Sequence, residues 1–144
     1  MYIQPVGTVH SLAQTIAEGC LAMRTRRISR TLTRIYDEEL RPHGASAAQQ
    51  SVLVALGVAG QLRPFQLAAV LDLEKSTVSR NLRRLEQLGW IAIEADSSGS
   101  QIVRLTDAGA SKLRATAPAW ERAQARAREV LRADLLEALR DVPI

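Results

Sequence analysis

DLEKSTVSRNLRRLEQL, residues 72 to 88, decides the fold. Projected at about 3.6 residues per turn, Val78, Leu82 and Leu85 share one stripe, with Leu88 at its edge. Ser76, Arg80, Arg83 and Gln87 point the opposite way, flanked by Thr77 and Arg84. Between Lys75 and Arg84 the stretch carries four cations and no acid. A helix that merely faces solvent mixes carboxylates with its cations, so this face suits a polyanion. Arginine forks two donors onto guanine O6 and N7 or onto a phosphate, and the short hydroxyls of Ser76, Thr77 and Ser79 allow close backbone approach. The spacing predicts a helix that buries one side in its own domain and offers the other to duplex DNA.

Working outward, PFQLAAVL from Pro64 predicts a short helix, because proline's missing N–H would be unbonded in a first turn anyway. Arg63 before it is a poor cap. The turn Asp72-Leu73-Glu74 then joins two helices into a helix-turn-helix whose second member enters the major groove. After Gly89 the period changes. Trp90 to Glu94 and Ile102 to Leu105 read as strands joined by the polar ADSSGSQ, a hairpin wing beside the recognition helix. Leu62 supplies a strand of one or two residues. Upstream, Ser46 and Gln49 have capping-box spacing, and Val52, Leu53 and Leu56 form the core face of the helix they open.

Residues 1 to 9, with Pro5 and Gly7, are expected as an arm that orders only by packing. One helix of about thirty residues is expected from Ser11 to Leu40, closed by Pro42 and Gly44. Its first half is apolar and small-sided beyond the need of one core, which suggests docking on another helix or chain. Arg24, Arg26, Arg27, Arg30 and Arg34 line the rest. They form either a solvated face paired with nearby acids or a site for an anionic ligand or a partner's acids. Downstream, Thr106 caps a helix that runs to about Leu131, with Asp107 well placed for its dipole. Pro118 should bend or break it near Thr116, with Trp120 packed after the kink. Asp134 caps a last helix that Pro143 ends.

The 144 residues suffice for one domain with a sizeable core. Phe65, Trp90, Trp120, Tyr2 and Tyr36 are the only aromatics, too few for a base-stacking platform, so a duplex is favoured over a single strand. The net charge of +4, mostly arginine, agrees with this but is weaker evidence than where the charges sit. Cys20 is the one cysteine, which rules out an intramolecular disulfide and makes the cytoplasm the default location. No leader and no stretch approaching about 18 uncharged apolar residues is present, so secretion and membrane spanning are disfavoured. His10 and His43 lack metal-ligand spacing, so neither a metal site nor a cofactor is expected. A phosphate loop, nucleophile elbow and paired-histidine motif are all missing, and no enzymatic function is expected.

The order of elements resembles the MarR family of bacterial transcription regulators. LTRIYDEELRPHGASAAQ (32 to 49), LEKSTVSRNLRRLEQLGWI (73 to 91) and RLTDAG (104 to 109) carry the likeness, the middle segment most specifically. The resemblance implies a mainly α fold with a small β-wing, a winged helix-turn-helix homodimer intertwined through N- and C-terminal helices. In a single MarR-like domain over 1–144, residues 1–45 would be arm and dimerisation helix, 46–106 the winged helix-turn-helix lobe, and 107–144 the C-terminal dimerisation helices. It implies a pseudo-palindromic operator, repression, and release by a small anionic or aromatic ligand or by oxidation. Lys75, Ser76, Thr77, Ser79, Arg80, Arg83, Arg84 and Gln87 are the candidate DNA-binding residues, and Ser98, Gly99, Ser100 and Arg104 those of the wing. Relatives commonly carry arginine at the wing tip, where this chain has Ser97, Ser98, Gly99 and Ser100. Asp72 stands where relatives often have glycine, and aspartate visits the left-handed region more readily than most residues. Arg27, Ile28, Thr31, Leu53 and Leu56 are the candidate lining of a ligand pocket. One branch of the family oxidises a cysteine in its first helix. Counted back from Tyr36 that position falls at Ala22, so Cys20 is expected as a buried small apolar side chain instead. The alternatives are a nonspecific architectural DNA binder and a winged-helix protein-interaction module.

Overall fold

The computed structural model describes residues 6–133 and 135. The chain falls into two compact units that divide between Arg34 and Ile35. The first holds α1 (Val6–Gly19) and most of α2 (Leu21–Leu40). The single helix expected from Ser11 begins earlier, at Val6, and is interrupted at Cys20. The i to i−4 ladder persists across the gap, since the Cys20 amide donates to the Ile16 carbonyl at 2.8 Å and the Arg24 amide to the Cys20 carbonyl at 3.1 Å. Gly19 is a weak helix former, and the Glu18 carbonyl beside it accepts the Arg24 guanidinium, a partner outside the ladder. No residue from 7 to 34 is buried. Cys20 is half-buried rather than enclosed, which corrects the expectation of a core cysteine. Of the expected N-terminal arm, residues 1–5 lie outside the described residues and Val6–Val9 are helix.

The second unit is the winged lobe. Pro42 sits in the single 3-10 turn Arg41–His43, and Gly44 takes the left-handed φ of 72° that ends the run. Next, α3 (Ala47–Ala59) starts on the capping box read from the sequence: Ser46 Oγ accepts the Gln49 amide at 3.2 Å, and Gln49 Oε1 accepts the Ser46 amide at 3.0 Å. Asp37 adds a bond from the end of α2, accepting the Ala47 amide at 2.7 Å. There follow β1 (Gln61–Leu62), α4 (Pro64–Val70), α5 (Lys75–Gln87), β2 (Ile91–Ala95), β3 (Gln101–Leu105) and α6 (Asp107–Val130). The antiparallel sheet has order β1-β3-β2, with Val103 facing Leu62 on one side and Ile93 on the other. Val103 is fully buried, and around it Leu40, Leu53, Leu56, Leu67 and Leu85 close the core.

The entry to α6 is held by a compact polar joint. Thr106 Oγ1 accepts the Gly109 amide at 3.1 Å, as its capping role predicts, and donates to the Gly89 carbonyl at 2.6 Å. A Cβ on Gly109 would stand 1.9 Å from the Trp90 carbonyl oxygen, so the RLTDAG glycine is needed for the helix to approach the strand so closely. Of the bend or break expected at Pro118, the break does not occur, and α6 runs unbroken through it. Proline removes one ladder bond at a cost of about 3 kcal/mol. Burial of Thr116, Ala119, Ala123 and Ala127 along the same helix offsets it. The Thr116 hydroxyl also donates to the carbonyls of Lys112 and Leu113 at 3.0 and 3.1 Å. Trp120 is 43% exposed rather than packed. Ion pairs tie α6 to the end of α2: Arg126 to Glu38 at 2.7 Å and to Glu39 at 2.9 Å, and Arg122 to Glu39 at 3.0 Å. Apart from Leu135, the expected last helix lies outside the described residues. No described helix is long and apolar enough to cross a membrane.

Candidate nucleic-acid interface

The stripe read from the sequence is the buried side of α5: Val78, Leu82 and Leu85 are enclosed and Leu88 is half-buried at its edge. On the other side Lys75, Ser76, Ser79, Arg80, Arg83, Arg84 and Gln87 are exposed, with Thr77 half-buried. The eight candidate residues are therefore spread over about half of the circumference of α5, away from its buried stripe. Asp72 enters the turn before it at φ 50°, the left-handed conformation aspartate tolerates, and the Leu73 amide donates back to the Ala68 carbonyl at 2.9 Å.

Electrostatically, this face is arranged for an anion. Lys75, Arg80, Arg83 and Arg84 form no ion pair among the described residues; Arg80 reaches only the Thr77 hydroxyl, at 3.4 Å. The N-cap Glu74 makes no side-chain capping bond, so the first amides of α5 are not satisfied by a cap. A lysine in the first turn opposes the helix dipole and adds nothing to helix stability. Backbone amides, dipole and cations thus concentrate positive potential where a phosphate would find donors.

The wing is built on different lines. Asp96 Oδ1 accepts the amides of Ser98 and Ser100 at 2.8 and 3.0 Å and the Ser98 hydroxyl at 2.5 Å, while Gly99 supplies the positive φ of the tip. Asp96 Oδ2 accepts the Arg63 guanidinium at 2.6 Å. The Ser98 hydroxyl first, then the Arg63 guanidinium, hold the Asp96 carboxyl far below the usual carboxylate range. Arg63, weak as a cap, is therefore a clamp between the start of α4 and the wing, while Gln66 Oε1 accepts its amide at 2.8 Å. Sequence reasoning missed this clamp. An aspartate followed by SSGS is an Asx-turn signal that marks the tip, but nothing local names Arg63 as its partner. Arg104, a candidate wing contact, pairs across the strands with Glu94 at 2.7 Å. Ser98, Gly99 and Ser100 are exposed at the tip and carry no charge of their own.

The candidate pocket residues fall in both compact units. Leu53 and Leu56 are 1% exposed in the lobe core, on the inward face of α3. Within the first unit, Arg27 and Thr31 line a shallow depression of about 540 Å³ with Met23, Arg26, Arg30 and Arg34. Ile28 is half-buried and is not part of its lining. Arg26, Arg27, Arg30 and Arg34 make no ion pair among the described residues.

Comparison with known proteins adds the following. The MarR family model matches residues 43–101. The uncharacterized HTH-type transcriptional regulator YwoH of Bacillus subtilis is 33% identical over 63 residues, 44% of this chain and 46% of that protein, so the chain spans about half the length of the curated relative it matches. The M. tuberculosis transcriptional regulator MosR superposes with a TM-score of 0.76 at 30% identity, over 85% of this chain and 90% of that one. A cysteine-to-serine mutant of E. coli MarR, solved in complex with operator DNA, superposes with a TM-score of 0.77 at 23% identity over 87% and 91% of the two chains, a likeness of fold.

Proposed function

This chain belongs to the MarR family, and from that premise we propose that it is a transcriptional regulator that binds double-stranded DNA sequence-specifically as a homodimer. The observation that carries the reading is the exposed face of α5, four cations without acid partners around an uncapped helix start. Arg80, Arg83 and Arg84 supply base and phosphate contacts, Lys75 and the amides of the first turn hold the backbone, and Ser76, Thr77, Ser79 and Gln87 fit the close approach. Dimerisation uses residues 1–45 and 107–144. On α1, Val9, Leu12 and Ile16 recur at three and four residues and are each more than half exposed, a stripe suited to a second copy. The lobe of residues 46–106 then presents one recognition helix per protomer to successive major grooves, about 34 Å apart on a pseudo-palindromic operator. The regulator represses, and a small anionic or aromatic ligand on the unpaired arginines of α2 shifts the dimer to a spacing the operator rejects.

DNase footprinting on the DNA upstream of its own gene tests this. A protected, roughly two-fold-symmetric segment is expected. Salt-sensitive binding with no preferred segment would instead establish a nonspecific architectural protein, the reading favoured by a wing tip of serines and glycine without arginine. Absence of any salt-dependent DNA affinity would leave a protein-interaction module.

A further inference from the structure

Between α5, the first turn of α4 and the wing strands runs a groove of about 710 Å³. Three candidate DNA residues, Lys75, Ser79 and Arg83, stand on its α5 wall, and Ser100 and Gln101 on its wing wall. Phe65, the only phenylalanine of the chain, is 62% exposed at its rim, although Leu67 two residues on is fully buried. A surface that leaves a large aromatic ring in water beside unpaired cations is asymmetric in chemistry. One wall carries Lys75 and Arg83, while the wing wall is formed by the uncharged Ile93, Ser100 and Gln101, and Arg63 at the start of α4 is held by Asp96. Glu86, the acid on the wall, lies less than one turn beyond Arg83 and roughly 16 Å along the axis from Lys75. A DNA strand has the matching asymmetry, with charged phosphates alternating with the apolar C–H faces of deoxyribose.

The geometry points to this groove as the seat of one strand's sugar-phosphate backbone, with the Phe65 ring packed on a deoxyribose and Lys75 and Arg83 on the adjoining phosphates; this rests on the duplex-DNA reading above. Phe65 does part of the anchoring that arginine at the wing tip does in relatives. Because sugars are alike at every position, the contact adds affinity without sequence preference. Because it is apolar, it releases no counterions.

Fluorescence anisotropy at several salt concentrations, with the upstream duplex and a scrambled duplex of equal length, tests it on the full chain. Phe65→Ala is expected to weaken both duplexes alike, by about 3- to 10-fold, with an unchanged slope of log affinity against log salt. Phe65→Tyr, which keeps the ring, should bind within about twofold of wild type. Affinity for both duplexes unchanged in Phe65→Ala would assign the groove to some other occupant and overturn the inference. So would a loss confined to the upstream duplex, or a slope shallower by about one. If wild type binds neither duplex, the DNA reading itself falls. Equal thermal melting of Phe65→Ala and wild type is expected, since the side chain is exposed, and separates the contact from a folding defect.

Discussion

Leu12 and Leu53 lie on helices of 14 and 13 residues, yet Leu12 is 60% exposed and Leu53 1%. The contrast runs through their whole surroundings. In the lobe, α3 finds the sheet, α4, α5 and α6 within its own chain, and its apolar residues close a core. On α1 the apolar stripe is as regular, but between residues 7 and 34 nothing is buried. Periodicity alone thus says that a helix has an apolar face. Whether the covering partner lies in the same chain is a separate question, and α1 poses it.

The largest expected effect is in the lobe. Leu53→Ala should cost about 2–5 kcal/mol of stability by opening a cavity in a closed core, read as a lower denaturant midpoint that does not depend on protein concentration. A loss below about 1 kcal/mol would put Leu53 on a surface after all. The matching lesion on α1, Ile16→Glu, is expected to act through self-association: light scattering should show a shift from dimer to monomer mass, with any fall in melting temperature shrinking as concentration rises. A dimer of unchanged mass would break the contrast, because the α1 stripe would then be merely solvated.

Within the lobe, Arg83→Ala should cost about 1–3 kcal/mol of operator binding and leave folding intact, because the exposed side chain has no ion pair among the described residues to lose. Relaxed preference at one base pair would make it a base contact. An equal loss on every sequence with a shallower salt slope would make it a phosphate contact.

The smallest effect concerns the wing. The native Asp96 carboxyl is depressed, so its stabilisation of the tip is complete above the ordinary carboxylate range and is lost only as pH falls through its lowered native value. Amide resonances of Ser98 and Ser100 should therefore hold steady from pH 7 to about 4 and move only below it. In Asp96→Asn that acid transition should vanish. A midpoint at or above pH 4 in the wild type would show that the clamp to Arg63 does not hold the wing in solution.

Much of this architecture was legible in the chain. The α5 polarity, the Ser46–Gln49 box, the Thr106 cap and the wing strands follow from residues within four positions of one another, where backbone geometry alone determines which side chains meet. The reading failed where distant segments meet. Pro118 has the local chemistry of a helix breaker, yet burial along α6 overrides it. Leu53 and Leu56 could have lined a pocket, but the closing of the lobe made them core. Arg63 and Asp96 are separated by 33 positions, and their 2.6 Å contact exists only because β1 and β2 flank β3 in the sheet.

The candidate DNA-binding residues of α5 were legible in the chain, because a cluster of cations opposite an apolar stripe is a local property with one periodicity. Only the tertiary structure decided which charges remain free. It withdrew Arg63 and Arg104 into ion pairs, left Lys75, Arg80, Arg83 and Arg84 without them among the described residues, and set Phe65 at the rim of the groove that Lys75 and Arg83 line. Charge neutralisation depends on contacts over a few ångströms between segments far apart in the chain, and no local pattern records them.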